Sequence, residues 1–579
     1  MNTGGRELAL ADLRGRVAIL DFWTFCCINC LHVLDELRPL EERYGDALVV
    51  VGVHSPKFEH ERDAKALAAA VERYGVAHPV LDDPSLKTWD AYAARAWPTL
   101  VVVDPEGYVV STMAGEGHLE ALDAIVGDLV ETHAAKGTLD PGGPLYVAAP
   151  SEETTLRFPG KALALPDGDV LVTDSARHRL VRLAPDLTEV RAVVGTGERG
   201  RADGAEPRFN EPQGMALLPE AVAARVGYDV VVADTVNHLL RGVRLGDGTV
   251  TTVAGTGRQW RSESGATAAG EVDLSSPWDV AWFDGRIIVA MAGIHQLWYF
   301  DPVAGEAGPW AGTTVESLGD GPLAEAWMAQ PSALAADGDR LWVVDSETSA
   351  LRYVEDGRVR TVVGHGLFDF GHVDGPAAEA LMQHPLGVGV LPDGAVAVAD
   401  TYNGAVRRYD PATGEVATLA SGLAEPSDVV VAGDEVVVVE SAAHRLVAPD
   451  LAEAAVDGRR HRVTRKRTAV APGALRVEVL FEPAAGQKLD YSFGSPIAVT
   501  VSADPPQLLA SGAGAGDELA REVILADGVE RGVLQVVAQA ATCDAEAEHP
   551  ACHLTRQDWG VPVSVVEGAP DTLRLTLRA

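Results

Sequence analysis

Two cysteines separated by two residues stand where an apolar segment gives way to a helical pattern. The motif Cys26-Cys27-Ile28-Asn29-Cys30 follows a segment, Val17 to Asp21, that reads as a buried strand. Backbone N–H groups at a helix N-terminus stabilise a thiolate and lower the pKa of a cysteine from about 8.5 to roughly 3.5–7.5. We therefore expect Cys27 to be a reactive thiolate, and Cys30, one helical turn further on, to be placed to release a mixed disulfide.

The composition indicates an acidic, globular protein of several domains. The chain has 579 residues, for which the expected number of domains is about three or four. Its 47 basic and 84 acidic residues give a formal net charge of -37, which disfavours nucleic acid as a partner. The sequence has no apolar run of about 18 residues and no visible export signal. We therefore predict a cytoplasmic protein with no membrane partner.

Cysteine usage favours redox chemistry over a structural role. Five cysteines in so long a chain cannot form a disulfide scaffold, and three of them lie in the opening motif. A structural zinc ion would need about four ligands, and only His32 adds an obvious nitrogen nearby. We therefore predict neither a bound metal nor another cofactor.

The elements predicted after the motif alternate between helices and strands. We expect helices at 28–44, 60–74 and 85–94, and strands at 48–53, 80–81 and 97–103. This alternation is typical of an α/β domain, to which we assign residues 1–140.

Two further motifs in this region carry a family resemblance. Leu20-Asp21-Phe22-Trp23 ahead of the cysteine pair, together with Trp97-Pro98-Thr99 at the start of a later strand, resembles the thioredoxin fold in its redoxin branch. The resemblance implies that Cys27 attacks a substrate disulfide and that Cys30 resolves the mixed disulfide. It also implies that Asp21 is a buried carboxylate of raised pKa that accepts the proton of Cys30.

The resemblance further implies a cis peptide bond before Pro98, which would place the Trp97 backbone beside the cysteines to hold an extended substrate. Simpler alternatives remain open: Asp21 caps a turn, and Pro98 is an ordinary trans proline at the start of a strand. Cys26 stands where thioredoxins usually have tryptophan. It is either a small buried side chain or a second resolving or sensing thiol. Ile28-Asn29 replaces the usual Gly-Pro and alters the redox poise, so the direction of exchange stays open.

A phrase of short strands recurs six times after about Leu145. Each copy has an apolar run, then a residue that is acidic in every copy but one, then a turn and a second apolar run. Such a unit cannot bury both of its faces alone, so we predict a six-bladed β-propeller over residues 145–452. One copy contains Asn237-His238-Leu239, and the repeats resemble the NHL propeller family.

The whole arrangement is similar to the family of NHL-repeat-containing proteins with a thioredoxin domain, whose members also bear a Cys-Cys-Ile-Asn-Cys motif. Acids and histidines recur at fixed positions of the repeats, and their shared phase favours structural roles at turns over metal ligation. They are Asp174, Asp234, Asp345 and Asp400, and His178, His238, His295 and His444. We expect the propeller to bind a protein or peptide.

The last part of the chain alternates in the manner of strands and predicts a C-terminal β-sandwich over residues 468–579. A basic segment, 458–467, precedes it and is interpreted as a linker or exposed strand, with a docking patch as the alternative. Cys543 and Cys552 lie in a polar loop and form a disulfide or accessory redox pair, or remain two thiols. They loosely resemble the cysteines in the β domain of membrane disulfide-interchange proteins.

Together these features predict a multidomain thiol-disulfide oxidoreductase that uses the Cys27–Cys30 dithiol. The propeller would position a protein or peptide client, and an unidentified thiol would donate electrons. The alternative from another class is a non-catalytic interaction scaffold with a vestigial thioredoxin fold. A peroxidase is a further rival, although two cysteines in this spacing suit dithiol exchange better.

Overall fold

The computed structural model describes residues 1–148, 153–261, 265, 267–462, 467–483, 487–489, 491, 494–544 and 552–578. The chain forms two compact units. The first combines Met1–Ser151 with Thr464–Ala579, and the second is Glu152–Val463. The C-terminal segment therefore belongs to the same unit as the N-terminal α/β domain. None of the helices in these described ranges is both long and apolar enough to cross a bilayer.

The N-terminal domain is a five-stranded sheet covered by helices. The sheet order is β3-β2-β1-β4-β5, with β1, β2 and β3 parallel and with β4 and β5 antiparallel to their neighbours. Its elements are β1 (Val17–Trp23), α1 (Ile28–Tyr44), β2 (Leu48–His54), α2 (Ala64–Arg73), β3 (Val80–Asp82), α3 (Lys87–Ala91), β4 (Thr99–Val103), β5 (Val109–Ala114) and α4 (Leu119–Lys136). The central strand β1 is buried along its whole length. The residues that directly follow β1 are therefore anchored to the core of the domain.

Local signals explain where two helices differ from the predicted ranges. The helix predicted at 60–74 begins at Ala64, because the Asp63 side chain caps it by accepting a hydrogen bond from the Lys65 backbone N–H at 2.8 Å. The helix predicted at 85–94 is shorter, because Leu86 takes a left-handed conformation with φ of 56° before Lys87. Helix α1 spans the predicted 28–44 and buries Val33, Leu37 and Leu40 against the sheet.

The C-terminal segment forms two sheets that enclose one apolar core. The strands of the larger sheet are Thr468–Val470, Gln487–Leu489, Ile497–Asp504, Gly514–Gly516, Arg531–Asp544 and Cys552–Val565. The strands of the smaller sheet are Ala474–Glu482, Leu509–Ser511, Ala520–Leu525 and Thr572–Arg578. Leu475, Val501 and Leu534 are fully buried between them, as the alternating sequence predicts.

The second unit consists of successive antiparallel sheets, one for each copy of the repeat. The four-stranded sheets are Ala162–Ala164, Val170–Asp174, Arg179–Leu183 and Val190–Val194; Pro212–Leu217, Val230–Asp234, Leu239–Val243 and Val250–Ala254; and Pro277–Phe283, Arg286–Met291, Gln296–Asp301 and Glu306–Ala311. The others are Gly321–Pro322, Pro331–Asp337, Arg340–Asp345, Ala350–Glu355 and Arg358–Val363; Gly375–Pro376, Gly387–Val390, Val396–Asp400, Ala405–Asp410 and Glu415–Ser421; and Pro426–Ala432, Glu435–Glu440 and Arg445–Val447. A short helix, Glu220–Val226, lies in the second sheet's first hairpin.

Hydrogen bonds between neighbouring sheets close this unit into a ring. One strand of each sheet contacts the corresponding strand of the next sheet, and the sixth contacts the first. These strands are Ala162–Ala164, Pro212–Leu217, Pro277–Phe283, Pro331–Asp337, Gly387–Val390 and Pro426–Ala432. His444 Nδ1, after the sixth sheet, accepts the backbone N–H of Phe158 at 3.0 Å, before the first sheet. Similar bonds from the following segment reach His178, His238 and His295. The recurring histidines therefore satisfy backbone donors between repeats, as the structural interpretation predicts.

Each recurring acid accepts a backbone N–H from the segment before the strand that precedes its own, and each also pairs with an arginine in the next strand. Asp234 Oδ1 accepts the Asn210 N–H at 2.7 Å, and its Oδ2 lies 2.7 Å from Arg241 Nη1. Burial raises the pKa of Asp234 to about 6, against the opposing pull of Arg241. Equivalent buried pairs are Asp345–Arg352 and Asp400–Arg407. These acids are structural, and the sequence did not indicate their arginine partners.

The basic segment that precedes the C-terminal domain includes a strand. Asp457–Arg462 pairs with Asp369–Val373 in antiparallel fashion, beside the fifth sheet. The interpretation as an exposed strand is therefore right for this part of the segment, and residues 463–466 lie outside the described residues.

Candidate dithiol site

The cysteine pair lies at the junction of β1 and α1. Cys27 is the residue immediately before the helix, with extended backbone angles, and its carbonyl accepts the Cys30 N–H at 3.0 Å. Cys27 is half-buried, whereas Cys30 is completely buried. Both are thiols. The accessible sulfur of Cys27 therefore lies at the N-terminus of α1, and the buried sulfur of Cys30 lies in the first turn of that helix.

A cis proline faces the accessible thiol. The Trp97–Pro98 peptide bond is cis, and the Trp97 carbonyl oxygen lies 4.0 Å from Cys27 Sγ. The indole N–H of Trp97 donates to the Ser55 carbonyl at 2.7 Å, and its ring packs on Trp89 with centroids 4.5 Å apart. The tryptophan ring is therefore fixed, and its backbone is held beside the sulfur.

Asp21 is a buried carboxyl group beneath the cysteine pair. It is fully buried, and neither of its oxygens has a hydrogen-bond partner among the described residues. Burial, with smaller contributions from Glu41 and Glu36, raises its pKa to about 8. The turn-cap alternative requires a hydrogen bond to the carboxylate, so this geometry speaks against it.

Cys30 shares this apolar environment. Burial raises the pKa of its thiol well above the ordinary value, and a hydrogen bond with Cys27 and the nearby charge of Asp21 act in the same direction. A buried thiol of this kind becomes a nucleophile only if a neighbouring base takes its proton. Asp21 is the group placed to do so.

Cys26 is held by a carboxylate that the sequence analysis missed. Cys26 is buried, and its backbone N–H donates to Glu61 Oε1 at 3.0 Å. The Thr24 hydroxyl donates to the same oxygen at 2.7 Å, and the Lys57 and Phe58 N–H groups donate to Oε2. Glu61 lies in the segment predicted as helix 60–74. An acidic residue in such a helix is expected to face solvent, so no local sequence signal indicated that Glu61 is buried beside Cys26.

Of the two remaining cysteines, Cys543 is disulfide-bonded. It is buried at the end of the strand Arg531–Asp544, and Cys552 is its direct partner in the register of the neighbouring strand. Residues 545–551 of the polar loop between them lie outside the described residues.

One group of possible metal ligands lies elsewhere in the α/β domain, at Asp104, Glu106 and His133. Asp104 Oδ1 accepts the N–H groups of Glu106 and Tyr108, and His133 Nδ1 lies 2.7 Å from the Thr138 hydroxyl. These hydrogen bonds stabilise a turn and the end of α4. They give the three side chains a structural reason to lie close together.

Comparisons with known proteins match this architecture. A thioredoxin-like family model matches residues 15–109. Protein SUPPRESSOR OF QUENCHING 1, chloroplastic, of Arabidopsis thaliana is 36% identical over 432 residues, which are 71% of this chain and 40% of that protein. NHL repeat-containing protein 2 of Gallus gallus is 35% identical over 469 residues, 74% of this chain and 63% of that protein. The chain therefore spans less than two thirds of the length of either relative.

A shorter relative covers the α/β domain. Thiol-disulfide oxidoreductase ResA of Geobacillus thermodenitrificans is 30% identical over 128 residues, 20% of this chain and 70% of that protein. These relatives confirm the resemblance to NHL-repeat-containing proteins with a thioredoxin domain, which we inferred from the cysteine motif, the proline motif and the repeats.

Proposed function

The chain belongs to the family of NHL-repeat-containing proteins with a thioredoxin-like domain, and we propose that it is a thiol-disulfide oxidoreductase acting on protein or peptide clients. The observation that carries this proposal is the pairing of Cys30 with Asp21 behind an accessible Cys27. A vestigial site that kept its cysteines only for packing would have no use for an unpartnered buried carboxyl group, which costs folding free energy.

The exchange reaction follows from these positions. Cys27, as a thiolate, attacks one sulfur of a client disulfide; a Cys27–client bond forms, the client S–S bond breaks, and the other client sulfur leaves as a thiolate. Cys30 then passes its proton to Asp21 and attacks Cys27 Sγ, which releases the second client sulfur. The client gains two electrons, and the cysteine pair becomes a disulfide that a thiol electron donor must reduce. Oxidation of a client runs through the same steps in reverse.

Trp97 and Pro98 would hold the client. The Trp97 carbonyl oxygen lies 4.0 Å from Cys27 Sγ, so an extended client segment that pairs with this backbone would present its own sulfur to Cys27. The fixed indole ring limits how that segment can approach.

The second unit would be a six-bladed propeller that binds the client or a further protein partner, and the C-terminal sheets would form a β-sandwich. Support comes from the six repeats and the ring of contacts between their sheets. Buried ion pairs within the repeats make this ring a rigid platform. The net charge of -37 favours protein over nucleic acid as the partner. We propose the cytoplasm as the compartment, although Cys543 is disulfide-bonded, which is uncommon in a reducing compartment, and although the plant relative is named as chloroplastic.

Reduction of insulin by the full-length chain tests the proposal, with dithiothreitol as the electron source. Wild type should accelerate the reaction, Cys27→Ser should abolish the acceleration, and Cys30→Ser should leave only slow turnover with a trapped intermediate. Equal rates for wild type and both variants would favour the scaffold alternative. Consumption of hydrogen peroxide that depends on Cys27 but not on Cys30 would favour a peroxidase.

A further inference from the structure

The buried carboxyl group of Asp21 needs a route for its proton. Asp21 is fully buried, and burial raises its pKa to about 8, so at neutral pH it holds a proton. It must lose that proton before it can accept the one from Cys30. A group that exchanges protons between Asp21 and solvent would therefore support the resolving step.

Asp21 lies on the face of the sheet that α1 covers. Ile19 of β1 and Val50 of β2 pack in one cluster with Val33 of α1. Side chains two residues apart on a strand share a face. Asp21 and Gly52, which are paired in the parallel register, therefore both lie on the α1 side. Neighbouring strands are about 4.8 Å apart, so the space over Gly52 lies directly beside Asp21.

Two ring nitrogens approach each other over Gly52. A Cβ atom added at Gly52 would lie 2.9 Å from Trp23 Nε1 and 3.3 Å from His78 Nε2. A methyl group there would displace both rings, so the close approach requires glycine. Neither nitrogen has a hydrogen-bond partner among the residues that the structure describes, and the same holds for both oxygens of Asp21. Unpaired buried polar atoms are uncommon, and here those of three residues lie around one point of the sheet.

His78 connects this point to the surface. Its Nδ1 lies 3.2 Å from Glu41 Oε1, and the Glu41 side chain is 24% exposed whereas that of His78 is only 5% exposed. Because the Glu41 carboxylate accepts the Nδ1–H, we assign the proton of the neutral ring to Nδ1. Nε2 is then a hydrogen-bond acceptor beside Gly52.

The other groups packed around Asp21 and His78 offer no equivalent connection. From β4 and α4 the core receives apolar side chains, namely Leu100, Leu122 and Val126. The titratable groups on this side are Cys30, Glu36 and Glu41 of α1, His54 of β2, Asp82 of β3, and the Met1 amino group, which donates to the Val80 carbonyl. His54 Nδ1 lies 3.9 Å from Asp82 Oδ1, which is beyond hydrogen-bond distance.

We propose that His78 and Glu41 form the proton relay of the dithiol site, linked to Asp21 by a water molecule bound between Asp21, Trp23 Nε1 and His78 Nε2. Such a water accepts the indole N–H, donates to His78 Nε2 and bonds to the carboxyl group, which satisfies each of these groups. His78 and Glu41 do not touch the reacting sulfur atoms. They are positioning residues that act through Asp21, and the inference rests on the proposed dithiol exchange.

The protons balance over the catalytic cycle. Protonated Asp21 gives its proton through the water to His78 Nε2, while the Nδ1 proton passes to Glu41 and then to solvent. Asp21 next takes the proton of Cys30 as Cys30 bonds to Cys27 and the client sulfur leaves with the electron pair of the broken S–S bond. When a thiol donor reduces the Cys27–Cys30 disulfide, Cys30 recovers its proton from Asp21. The relay then runs in reverse, which reprotonates Asp21 and restores the His78 tautomer.

The test follows the two attack steps separately, with full-length reduced chain in excess over dithiobis(nitrobenzoate). Attack by Cys27 releases one coloured thiolate, and attack by Cys30 on the mixed disulfide releases the second, so stopped-flow absorbance resolves both. At about pH 6.5, where Asp21 starts protonated, His78→Gln should leave the first release unchanged and slow the second about tenfold or more. At about pH 9, where Asp21 starts ionised, the second release should match wild type.

Two variants complete the design. His133→Gln is the matched control, because it removes a buried histidine with carboxylate neighbours at the end of α4, with Nε2 3.9 Å from Asp104. It should match wild type at both pH values. Gly52→Ala, whose methyl group would displace the His78 imidazole, should reproduce the pH-dependent slowing. It decides the case if His78→Gln also loses the first release.

Slowing at both pH values would indicate a merely structural role and overturn the relay. A second release equal to that of wild type at the lower pH would overturn it too, as would slowing by His54→Gln in place of His78→Gln. The measurement needs no client. Absence of any second release in wild type would contradict dithiol exchange itself, whereas a normal second release that is independent of His78 would remove the relay and leave the proposed function intact.

Discussion

The pKa of Asp21 makes a prediction about stability as a function of pH. Asp21 is fully buried without a hydrogen-bond partner among the described residues, and burial raises its pKa from 3.8 to about 8. A carboxyl group whose pKa is raised on folding stabilises the folded state only while it is protonated. Its contribution is therefore complete below pH 4 and is lost as the pH rises through about 8. Asp21→Asn removes this titration and keeps the shape of the side chain.

The expected magnitude follows from the two pKa values. Between them, the free energy of unfolding of wild type should fall relative to Asp21→Asn by about 1.4 kcal/mol for each pH unit. From pH 4.5 to pH 7.5 the difference amounts to about 4 kcal/mol. The buried asparagine amide adds a constant cost of about 1–3 kcal/mol. That cost moves the whole curve but leaves its slope unchanged, so the slope is the diagnostic quantity.

Amide hydrogen exchange of the full-length chain, read by mass spectrometry over β1 and α1, measures this difference where it arises. Opening free energies at several pH values, corrected for intrinsic exchange rates, should diverge between wild type and Asp21→Asn as the pH rises. Asp46→Asn, which changes an exposed carboxyl group after α1, serves as the control and should show a flat difference. Parallel curves for wild type and Asp21→Asn would refute the raised pKa, and with it the assignment of Asp21 as the proton acceptor.

Two further substitutions test the supports of the site and of the ring. Glu61→Gln should lower the opening free energy of the Cys26 loop by about 1–3 kcal/mol, since a neutral amide cannot satisfy four donors; iodoacetamide should then label Cys26 faster, and an unchanged labelling rate would contradict this. Lys161→Met should destabilise the second unit by about 3–5 kcal/mol in urea unfolding. The Lys161 ammonium is buried 3.7 Å from Asp279 and 3.8 Å from Asp428, and its loss leaves both carboxylates without their cation. A cost no larger than that of replacing an exposed lysine would show that the contact is dispensable.

Sequence reasoning succeeded where the signal is local. The bounds of α1 follow from the apolar spacing of its residues. The places of Cys27, Cys30, Asp21 and the cis proline follow from motifs that fix a strand, a turn and a helix. The repeats were visible because each copy carries the same strand, acid and turn.

Contacts between distant segments could not be predicted in the same way. The Glu61 carboxylate accepts the backbone N–H of Cys26, 35 residues away in the sequence. The C-terminal segment reads as a separate β domain because its strands alternate regularly. That pattern does not reveal that Ala96 and Ala114 complete its core. Contacts between distant segments leave no periodic pattern in the sequence, so they are identified only from the folded structure.

Dithiol exchange at this site requires that Cys27 attacks a client disulfide and that Cys30 resolves the mixed disulfide. The most direct measurement is capture by full-length Cys30→Ser from a lysate of the source cells, followed by non-reducing electrophoresis and mass spectrometry of the linked peptides. We expect client proteins joined through Cys27, released by dithiothreitol, and absent when Cys27→Ser is added to the same variant. Recovery of no disulfide-linked protein, or of links that persist without Cys27, would contradict it.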